Sequence, residues 1–163
     1  MAHDLFSVNE KVAIVTGGLG QLGRQFSLAL ADLGAKVAIF DIQVDEQWVA
    51  ERFAGRRNDD NLMFVQVDIT QRCSIEAGLS QVNAKWGVPH ALINNAALDA
   101  PPNAPVEENG PFESYPESSW DKVIEVSVKG AFLCCQVVGG QIAVAGRGSI
   151  VNIGSIYGMV SPD

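Results

Sequence analysis

Basic side chains are scarce in this sequence, and their scarcity excludes the partners that depend on them. The 11 Lys and Arg residues stand against 19 Asp and Glu, which gives a formal net charge of -8 at pH 7. Nucleic acids and acidic lipid surfaces bind clustered Lys and Arg, and the sequence has no such cluster. We therefore expect a small-molecule substrate, with no nucleic acid and no membrane among the partners.

Long apolar runs are also missing. Arg24, Asp32, Lys36 and Asp41 interrupt the most apolar third of the chain, so no segment of membrane-spanning length is expected. Residues 1–10 contain no apolar core of the kind that a signal peptide carries. These two observations predict a cytoplasmic protein.

Cysteine is rare and lacks the spacing of metal ligands. The three cysteines are Cys73 and the adjacent pair Cys134 and Cys135. An odd number without metal spacing is typical of reduced thiols in or near the core, in a reducing compartment. We expect no metal site.

What the sequence does contain is a regular alternation of strand-like and helix-like segments. With 163 residues and 47% hydrophobic content, the chain is long enough for one domain with an ordinary core. The alternation predicts an α/β fold in which helices cover both faces of a parallel sheet, in three layers. The predicted strands lie near 12–16, 36–41, 62–67, 90–94 and 148–153, and the predicted helices near 21–33, 45–55, 72–86 and 117–144.

The stretch from Lys11 to Gly34 predicts a strand, a glycine turn and a helix. Val12 to Val15 is apolar throughout, as in a strand that is buried on both faces. From Leu22 onward apolar residues recur at helical spacing, and Gly34 is placed to cap the helix. Bare glycine backbone would let a pyrophosphate reach the N–H groups at the helix N-terminus, where the helix dipole favours negative charge.

Glycine also serves turns that merely need a positive φ, so the cluster alone leaves that second interpretation open. The next apolar run, Lys36 to Phe40, ends in Asp41, which lies 18 residues after Gly23. An acid about 20 residues beyond the glycine turn is the group that bonds the adenosine ribose in dinucleotide-binding folds. The segments together predict a Rossmann-like, doubly wound sheet with strand order 3-2-1-4-5 and right-handed crossovers.

The identity of the acid also predicts which dinucleotide binds. Asp41 can accept hydrogen bonds from both ribose hydroxyls, whereas it would repel a 2′-phosphate. No Arg or Lys occurs at positions 42–47 to neutralise such a phosphate. We therefore expect NAD(H) in preference to NADP(H).

The later helices carry different signals. Ile75, Leu79, Val82 and Trp86 recur at intervals of four, three and four residues, and Gly87 then ends the third helix. The fourth predicted helix, 117–144, carries an apolar stripe along its length.

The start of that long helix has its own signal. A capping box formed by Ser114 and Glu117, with Pro116 in the first turn, is predicted there. The helix follows a loop of about twenty residues, Ala97 to Glu117, that holds five prolines. A loop at the carboxyl edge of the sheet is placed to shape a substrate site, and a surface insertion without a catalytic role is the alternative.

Four short motifs resemble those of the short-chain dehydrogenase/reductase family, in the family's order and over the chain from Lys11 to its end. They are T-G-G-L-G-Q-L-G at Thr16 to Gly23, D-I-T at Asp68 to Thr70, N-N-A-A at Asn94 to Ala97, and V-N-I-G-S at Val151 to Ser155. The resemblance implies an oxidoreductase that moves a hydride between a nicotinamide cofactor and a secondary alcohol or ketone. Its substrate stays open among sugars, sugar-derived intermediates, steroids and small alcohols.

The resemblance also implies a set of cofactor-binding residues. Leu22 would lie against the nicotinamide, Asp68 would accept a hydrogen bond from the adenine amino group, and Asn94 would tie strands together. Asn95 and Ala96 would line the ribose and adenine side. The full implied set is Thr16, Gly17, Gly20, Gln21, Leu22, Gly23, Asp41, Ile42, Asp68, Ile69, Asn95 and Ala96.

Two implied catalytic positions are Ser155 and Ser127. Ser155 matches the family serine that hydrogen-bonds the substrate oxygen, and Ser127 stands where the family usually has an asparagine that holds a relay water. A hydroxyl there can bind water, although the departure puts the relay in question. Gln21 is a second departure, because it occupies a glycine position of the commonest family motif, T-G-x-x-x-G-x-G.

The family's Tyr-x-x-x-Lys motif is absent from these 163 residues. Tyr157 follows Ser155 too closely, and Ser161 stands where its lysine would be. One hypothesis is an incomplete domain of a longer NAD-dependent enzyme, inactive by itself. The alternative is a nucleotide-binding or assembly module without turnover. On either hypothesis, the resemblance implies self-association through the long helix 117–144.

Overall fold

Five parallel strands form one sheet in the order β3-β2-β1-β4-β5. The computed structural model describes residues 6–53, 55–56, 60–98, 108 and 111–155. The strands are β1 (Val12–Thr16), β2 (Lys36–Asp41), β3 (Leu62–Gln66), β4 (Ala91–Asn94) and β5 (Ser149–Asn152). The predicted order 3-2-1-4-5 and the parallel pairing of all five strands are confirmed.

Helices connect the strands and cover both faces of the sheet. They are α1 (Gln21–Asp32), α2 (Glu46–Phe53), α3 (Arg72–Trp86), α4 (Glu117–Ile124) and α5 (Ala131–Val144). A π-helical segment, Glu125–Gly130, joins α4 to α5. The predicted helix 117–144 is therefore one continuous helix that contains a π-helical segment. A short 3-10 turn, Phe112–Ser114, precedes α4.

Two hydrophobic clusters account for the three layers. Neighbouring residues of a strand point to opposite faces, so Ile14 and Val15 enter different clusters. The Ile14 cluster includes Ile75 of α3 and Val138 of α5. The Val15 cluster includes Ala31 of α1 and Val49 of α2. Strands β1 and β2 therefore lie between helices on both sides, as their continuous apolar sequences predict.

Helix ends follow the glycine signals more closely than the capping-box signal. Gly34 and Gly87 both have φ of 84°, a left-handed conformation that glycine adopts without strain. The predicted capping box is wrong. Ser114 Oγ donates to the carbonyl of Pro111 at 3.1 Å within the 3-10 turn, and Pro116 rather than Ser114 stands at the N-cap.

The long helix corrects the expectation that no segment has membrane-spanning length. The helix Glu117–Val144 has 28 residues and contains an 18-residue window with mean hydropathy 1.4, so it could cross a membrane by length and composition alone. Leu133, Cys134, Val138 and Ile142 of α5 pack in the core cluster under the sheet. Part of the apolar character of this helix therefore comes from residues that pack in the core. The expectation rested only on the most apolar third of the chain and did not include this helix.

The cysteines divide between core and surface. Cys134 is buried and Cys135 is partly buried, as expected for core or near-core thiols. Cys73 is exposed on α3, so the same expectation is wrong for that residue. It precedes the apolar positions of the helix and lies on the outer face. All three thiols are free.

Candidate cofactor site

A cleft of about 490 Å³ opens at the carboxyl ends of the central strands. Parallel α/β sheets bind ligands at this edge, where the strand order reverses direction between β1 and β4. The lining residues come from the glycine turn, the ends of β2, β3 and β4, and the helices beside them. They are Gly17, Gly20, Gln21, Leu22, Phe40, Asp41, Ile42, Arg52, Val67, Asp68, Ile69, Thr70, Asn95, Ala96, Ala97, Leu98 and Val126.

Two glycines of the turn cannot be replaced without a clash. Gly17 has φ of +61°, and a Cβ there would lie 2.8 Å from Ala96 Cα. A Cβ on Gly23 would lie 2.2 Å from the Gly17 carbonyl oxygen. The turn therefore packs tightly on itself and on the end of β4. Gly17 reaches the cleft, whereas Gly23 lies behind its wall and closes the contact between α1 and the turn.

The first turn of α1 presents backbone donors to the cleft. Helix α1 begins at Gln21, with Gly20 at the N-cap and no side-chain cap. The opening N–H groups of a helix have no partner within the helix, and the dipole adds positive potential there. Because Gln21 and Leu22 line the cleft, their N–H groups are placed to bind an anion such as a pyrophosphate, whereas the Gly20 N–H donates to the Gly17 carbonyl at 3.0 Å. Leu22 is 57% exposed and supplies an apolar wall.

Thr16 and Asn95 join the glycine turn to β4. The Thr16 hydroxyl oxygen accepts hydrogen bonds from the backbone N–H groups of Asn95 at 3.0 Å and Ala96 at 3.1 Å. In return, the Asn95 amide donates to the carbonyls of Thr16 at 3.0 Å and Gly17 at 3.1 Å. Thr16 is 1% exposed, so its side chain stabilises the turn through these buried hydrogen bonds and does not line the cleft. Asn95 both lines the cleft and fixes the turn.

Asp41 lies at the end of β2 and faces the glycine turn. Its Oδ2 accepts a hydrogen bond from the Leu19 N–H at 2.9 Å. A carboxylate can accept about four hydrogen bonds, so Asp41 retains acceptor capacity toward the cleft. The neighbouring Ile42 is 65% exposed and forms the rim. The predicted acid is therefore at the ligand edge, and the turn orients it.

Arg52 is a lining residue that the sequence reasoning missed. One terminal nitrogen, Nη1, donates to the Leu19 carbonyl at 2.6 Å, and the guanidinium lies 4.2 Å from the centre of the Trp48 ring. Positions 42–47 hold no cation, but α2 carries this arginine back over the turn. The signal that would have found it is the Trp48–Arg52 pair, since residues four apart on a helix are neighbours.

Asp68 and Ile69 line the cleft beyond the end of β3. Asp68 Oδ1 accepts hydrogen bonds from the Thr70 N–H at 2.9 Å and the Thr70 hydroxyl at 2.7 Å. Its backbone N–H donates to Ser74 Oγ at 2.9 Å. Asp68 is thereby fixed with one oxygen in a local turn. Ile69 is 7% exposed and packs closely on Gly130. A Cβ added to Gly130 would lie 2.6 Å from Ile69 Cδ1.

Asn94 ties strands, as predicted. It is 6% exposed, and its amide donates to Asn152 Oδ1 on β5 at 2.8 Å. The same amide lies 3.3 Å from Cys135 Sγ on α5. This side chain therefore connects the cofactor end of β4 to the last described strand.

The two serines occupy different environments. Ser127 lies in the π-helical segment, where its hydroxyl oxygen accepts the Leu98 N–H at 3.4 Å. It thus holds the beginning of the loop that borders the cleft beside Val126. Ser155 is exposed and is not among the residues that line the cleft. Tyr157 lies outside the described residues.

Several lining residues had no sequence signal of their own. Phe40, Val67 and Val126 belong to apolar runs that predict core packing equally well, and Thr70 completes the D-I-T motif without a distinct role. Ala97 and Leu98 begin the proline-rich loop, whose residues 99–107 and 109–110 lie outside the described part of the chain. That this loop shapes a substrate site stays a prediction.

Comparison with known proteins identifies the class to which this site belongs. A family model described as short chain dehydrogenase matches residues 11–162. The chain therefore belongs to the short-chain dehydrogenase family. That assignment agrees with the strand order, the glycine turn and the acid at the end of β2.

Individual relatives are similar over most of this chain. An NAD-dependent glycerol dehydrogenase from Listeria innocua serovar 6a is 30% identical over 97% of this chain and 58% of its own length. A short chain dehydrogenase structure from Bacillus anthracis has a TM-score of 0.82 at 26% identity, covering 96% of this chain and 60% of that one. An NAD+-bound xylitol dehydrogenase structure has a TM-score of 0.80 at 28% identity, and the match covers 95% of this chain and 56% of that one. The chain spans just over half the length of these relatives, and their dehydrogenase names support an oxidoreductase function.

Proposed function

We propose that the chain forms the cofactor-binding part of an NAD-dependent oxidoreductase acting on a secondary alcohol or its ketone. The observation that carries the proposal is Asp41, held by the Leu19 N–H at the mouth of the cleft. Its carboxylate is suited to accept hydrogen bonds from ribose hydroxyls and to repel a 2′-phosphate. The names of the glycerol and xylitol dehydrogenases support NAD use and make polyols the first substrates to test.

The residues present fit such a cofactor. The glycine turn leaves the backbone N–H groups of Gln21 and Leu22 open to a pyrophosphate, and the Leu22 side chain offers an apolar surface to a planar ring. Asp68 retains Oδ2 as an acceptor on the adenine side. When bound, NAD supplies the hydride acceptor. The chain's own residues bind it, orient it and exclude water from one side of it.

Calorimetric titration of the chain with NADH and NADPH tests the cofactor preference. NADH is expected to bind at least about tenfold more tightly, because a charge conflict of about 1.4 kcal/mol already gives that ratio. Asp41→Ala is expected to narrow the difference, with Asp60→Ala, which removes an exposed acid outside the cleft, as the control. Equal affinities in the unmodified chain would contradict the assignment.

Substrate chemistry requires an acid/base group as well as a cofactor. Ser155 is proposed to hydrogen-bond the substrate oxygen, and Ser127 to hold a relay water in place of the usual asparagine. General acid/base groups typically contribute about 10²- to 10⁴-fold to rates, and these 163 residues contain no Tyr-x-x-x-Lys. We therefore expect the 163-residue polypeptide by itself to bind cofactor without turnover.

A non-catalytic nucleotide-binding or assembly module is the second candidate, favoured by the exposed apolar side chains on the helix 117–144. The mass of the intact gene product separates the two, since a substantially longer polypeptide with Tyr-x-x-x-Lys supports the enzyme.

In both cases we propose a cytoplasmic protein that associates through the helix 117–144. Phe132 and Val144 on this helix are 56% and 90% exposed, and apolar surface of this kind favours association. A sedimentation mass that stays monomeric at high concentration would contradict the assembly.

A further inference from the structure

A cation and an anion hold the two backbone groups of one residue at the adenosine end of the cleft. Asp41 accepts the Leu19 N–H at 2.9 Å, and Arg52 donates to the Leu19 carbonyl at 2.6 Å. Leu19 itself is 1% exposed, so the backbone between the two charges is anchored in the core. Both charged side chains line the cleft.

Arg52 is held in place and still has donors to offer. The Trp48 ring lies 4.2 Å from its guanidinium carbon, and stacking of this kind restrains the side chain. A guanidinium carries five N–H donors, of which the bond to Leu19 uses one. Within the described part of the chain no carboxylate forms an ion pair with Arg52. Its charge is therefore not neutralised by direct contact with an acid.

A second guanidinium increases the positive potential behind this position. Arg24 of α1 donates from Nη1 to the Arg52 carbonyl at 3.5 Å. The Arg24 Nε is buried and has no hydrogen-bond partner among the described residues. The Arg24 guanidinium thus lies beside the backbone of Arg52, although the protein as a whole carries a net charge of -8.

We propose that Arg52 is a specificity-determining residue which provides a phosphate-binding position that Asp41 masks. This inference rests on the proposed NAD(H) binding at the same cleft. A guanidinium binds phosphate oxygens through charge-assisted hydrogen bonds in a planar fork, whereas an adjacent carboxylate repels the same group. Removing the Asp41 charge would then convert the adenosine end into a site for a ribose 2′-phosphate. The preference for NAD(H) is a balance between these two side chains and does not follow from Asp41 alone.

The test is a double-mutant cycle on the chain, with calorimetric Kd values for NADH and NADPH. Asp41→Ala is expected to tighten NADPH binding by about tenfold, and adding Arg52→Gln should remove that gain by a similar factor, because charged hydrogen bonds are stronger than neutral ones. Arg52→Gln should change the Kd for NADH by the same small factor in the unmodified chain and in the Asp41→Ala background. Arg52→Lys in the Asp41→Ala background should retain part of the gain.

The matched control is Arg56→Gln, which removes the same charge from a residue paired with Asp32 at 2.6 Å outside the cleft. It should leave the NADPH-to-NADH ratio unchanged. Parallel losses of NADH and NADPH in Arg52→Gln would assign Arg52 to holding the turn and overturn the inference. So would an NADPH gain in Asp41→Ala that survives Arg52→Gln. Failure of the unmodified chain to bind NADH would contradict the proposed function as well, whereas NADH binding with an unchanged ratio would contradict only the inference.

Discussion

Strands β1 and β5 belong to the same sheet but differ sharply in their surroundings. All five residues of β1 are buried, whereas all four residues of β5 are exposed. The exposed side continues onto the long helix, where Trp120, Phe132 and Val144 are 57%, 56% and 90% exposed. The cofactor cleft lies on the buried side of this divide. The cleft is therefore formed by contacts that the described chain makes internally, while β5 and the outer face of the long helix present apolar surface.

The largest expected effect comes from disrupting the tightly packed glycine turn beside the cleft. Gly23→Ala should abolish measurable NADH binding, because its Cβ would lie 2.2 Å from the Gly17 carbonyl oxygen. Gly140→Ala on α5 is the matched control, since a Cβ there meets nothing within 4 Å. That change should stabilise the chain by about 0.5–1 kcal/mol, as alanine is favoured over glycine in a helix. Titration with NADH and urea unfolding measure the two outcomes, and normal binding by Gly23→Ala would refute the tight packing of the turn.

Core truncation should distinguish the two strands by free energy of unfolding. Ile14→Ala on β1 is expected to cost about 2–5 kcal/mol, because Ile14 is 0% exposed and its removal leaves a cavity. Ile150→Ala on β5 should cost about 1 kcal/mol, since that side chain is already 39% exposed. Urea denaturation of both variants measures the difference. Equal losses would show that β5 is covered in solution, and the covering partner would then be another copy of the chain.

Thiol reactivity tests whether α5 stays packed despite its exposed outer face. Burial raises the pKa of Cys134 to about 12, and the neighbouring Cys135 adds to the shift. Because the thiolate is the reactive form, Cys134 should react with maleimide only on unfolding, whereas exposed Cys73 should react at once. Mass spectrometry of labelled peptides assigns the sites, with Cys73→Ser as the control. Rapid native labelling of Cys134 would mean that the helix detaches from the sheet.

The smallest expected effect is a pH dependence at the opposite end of the sheet. Burial, with the nearby charges of Arg147 and Lys11, lowers the pKa of His90 below its ordinary 6.5. The unfolded chain then binds the proton more readily, so this contribution to stability is full above pH 6.5 and is lost as the pH falls toward the lowered value. His90→Asn should flatten the fall in unfolding free energy between about pH 7 and about pH 5. An unchanged slope would show that His90 does not contribute.

The buried side was also the easier side to predict. Val12–Thr16 and Lys36–Asp41 match their predicted ranges because continuous apolar sequence has few other uses in a parallel sheet. Helix α3 spans Arg72–Trp86 as predicted, since its apolar period and Gly87 agree. Asp41 and the glycine turn were found because chemistry and backbone geometry restrict those positions to few residue types.

What the sequence did not reveal depends on contacts between distant segments. Arg52 enters the cleft only because α2 folds back over Leu19, 33 residues earlier in the chain. The π-helical segment around Ser127 changes the hydrogen-bonding register without a sequence signal of its own. Ser114 failed as a helix cap because a neighbouring turn uses its hydroxyl first. Each of these outcomes is decided by tertiary or competing local contacts, which periodicity does not record.

The most direct test of the comparison combines binding and turnover on one preparation of the 163-residue chain. NADH is titrated by calorimetry, and the same protein is then incubated with NAD+ and a polyol such as glycerol or xylitol while NADH formation is followed by absorbance. We expect saturable NADH binding that Gly23→Ala removes, together with no polyol-dependent reduction of NAD+. Turnover abolished by Ser155→Ala, or a folded chain that binds no NADH, would contradict the proposed division between a cofactor-binding side and a substrate side.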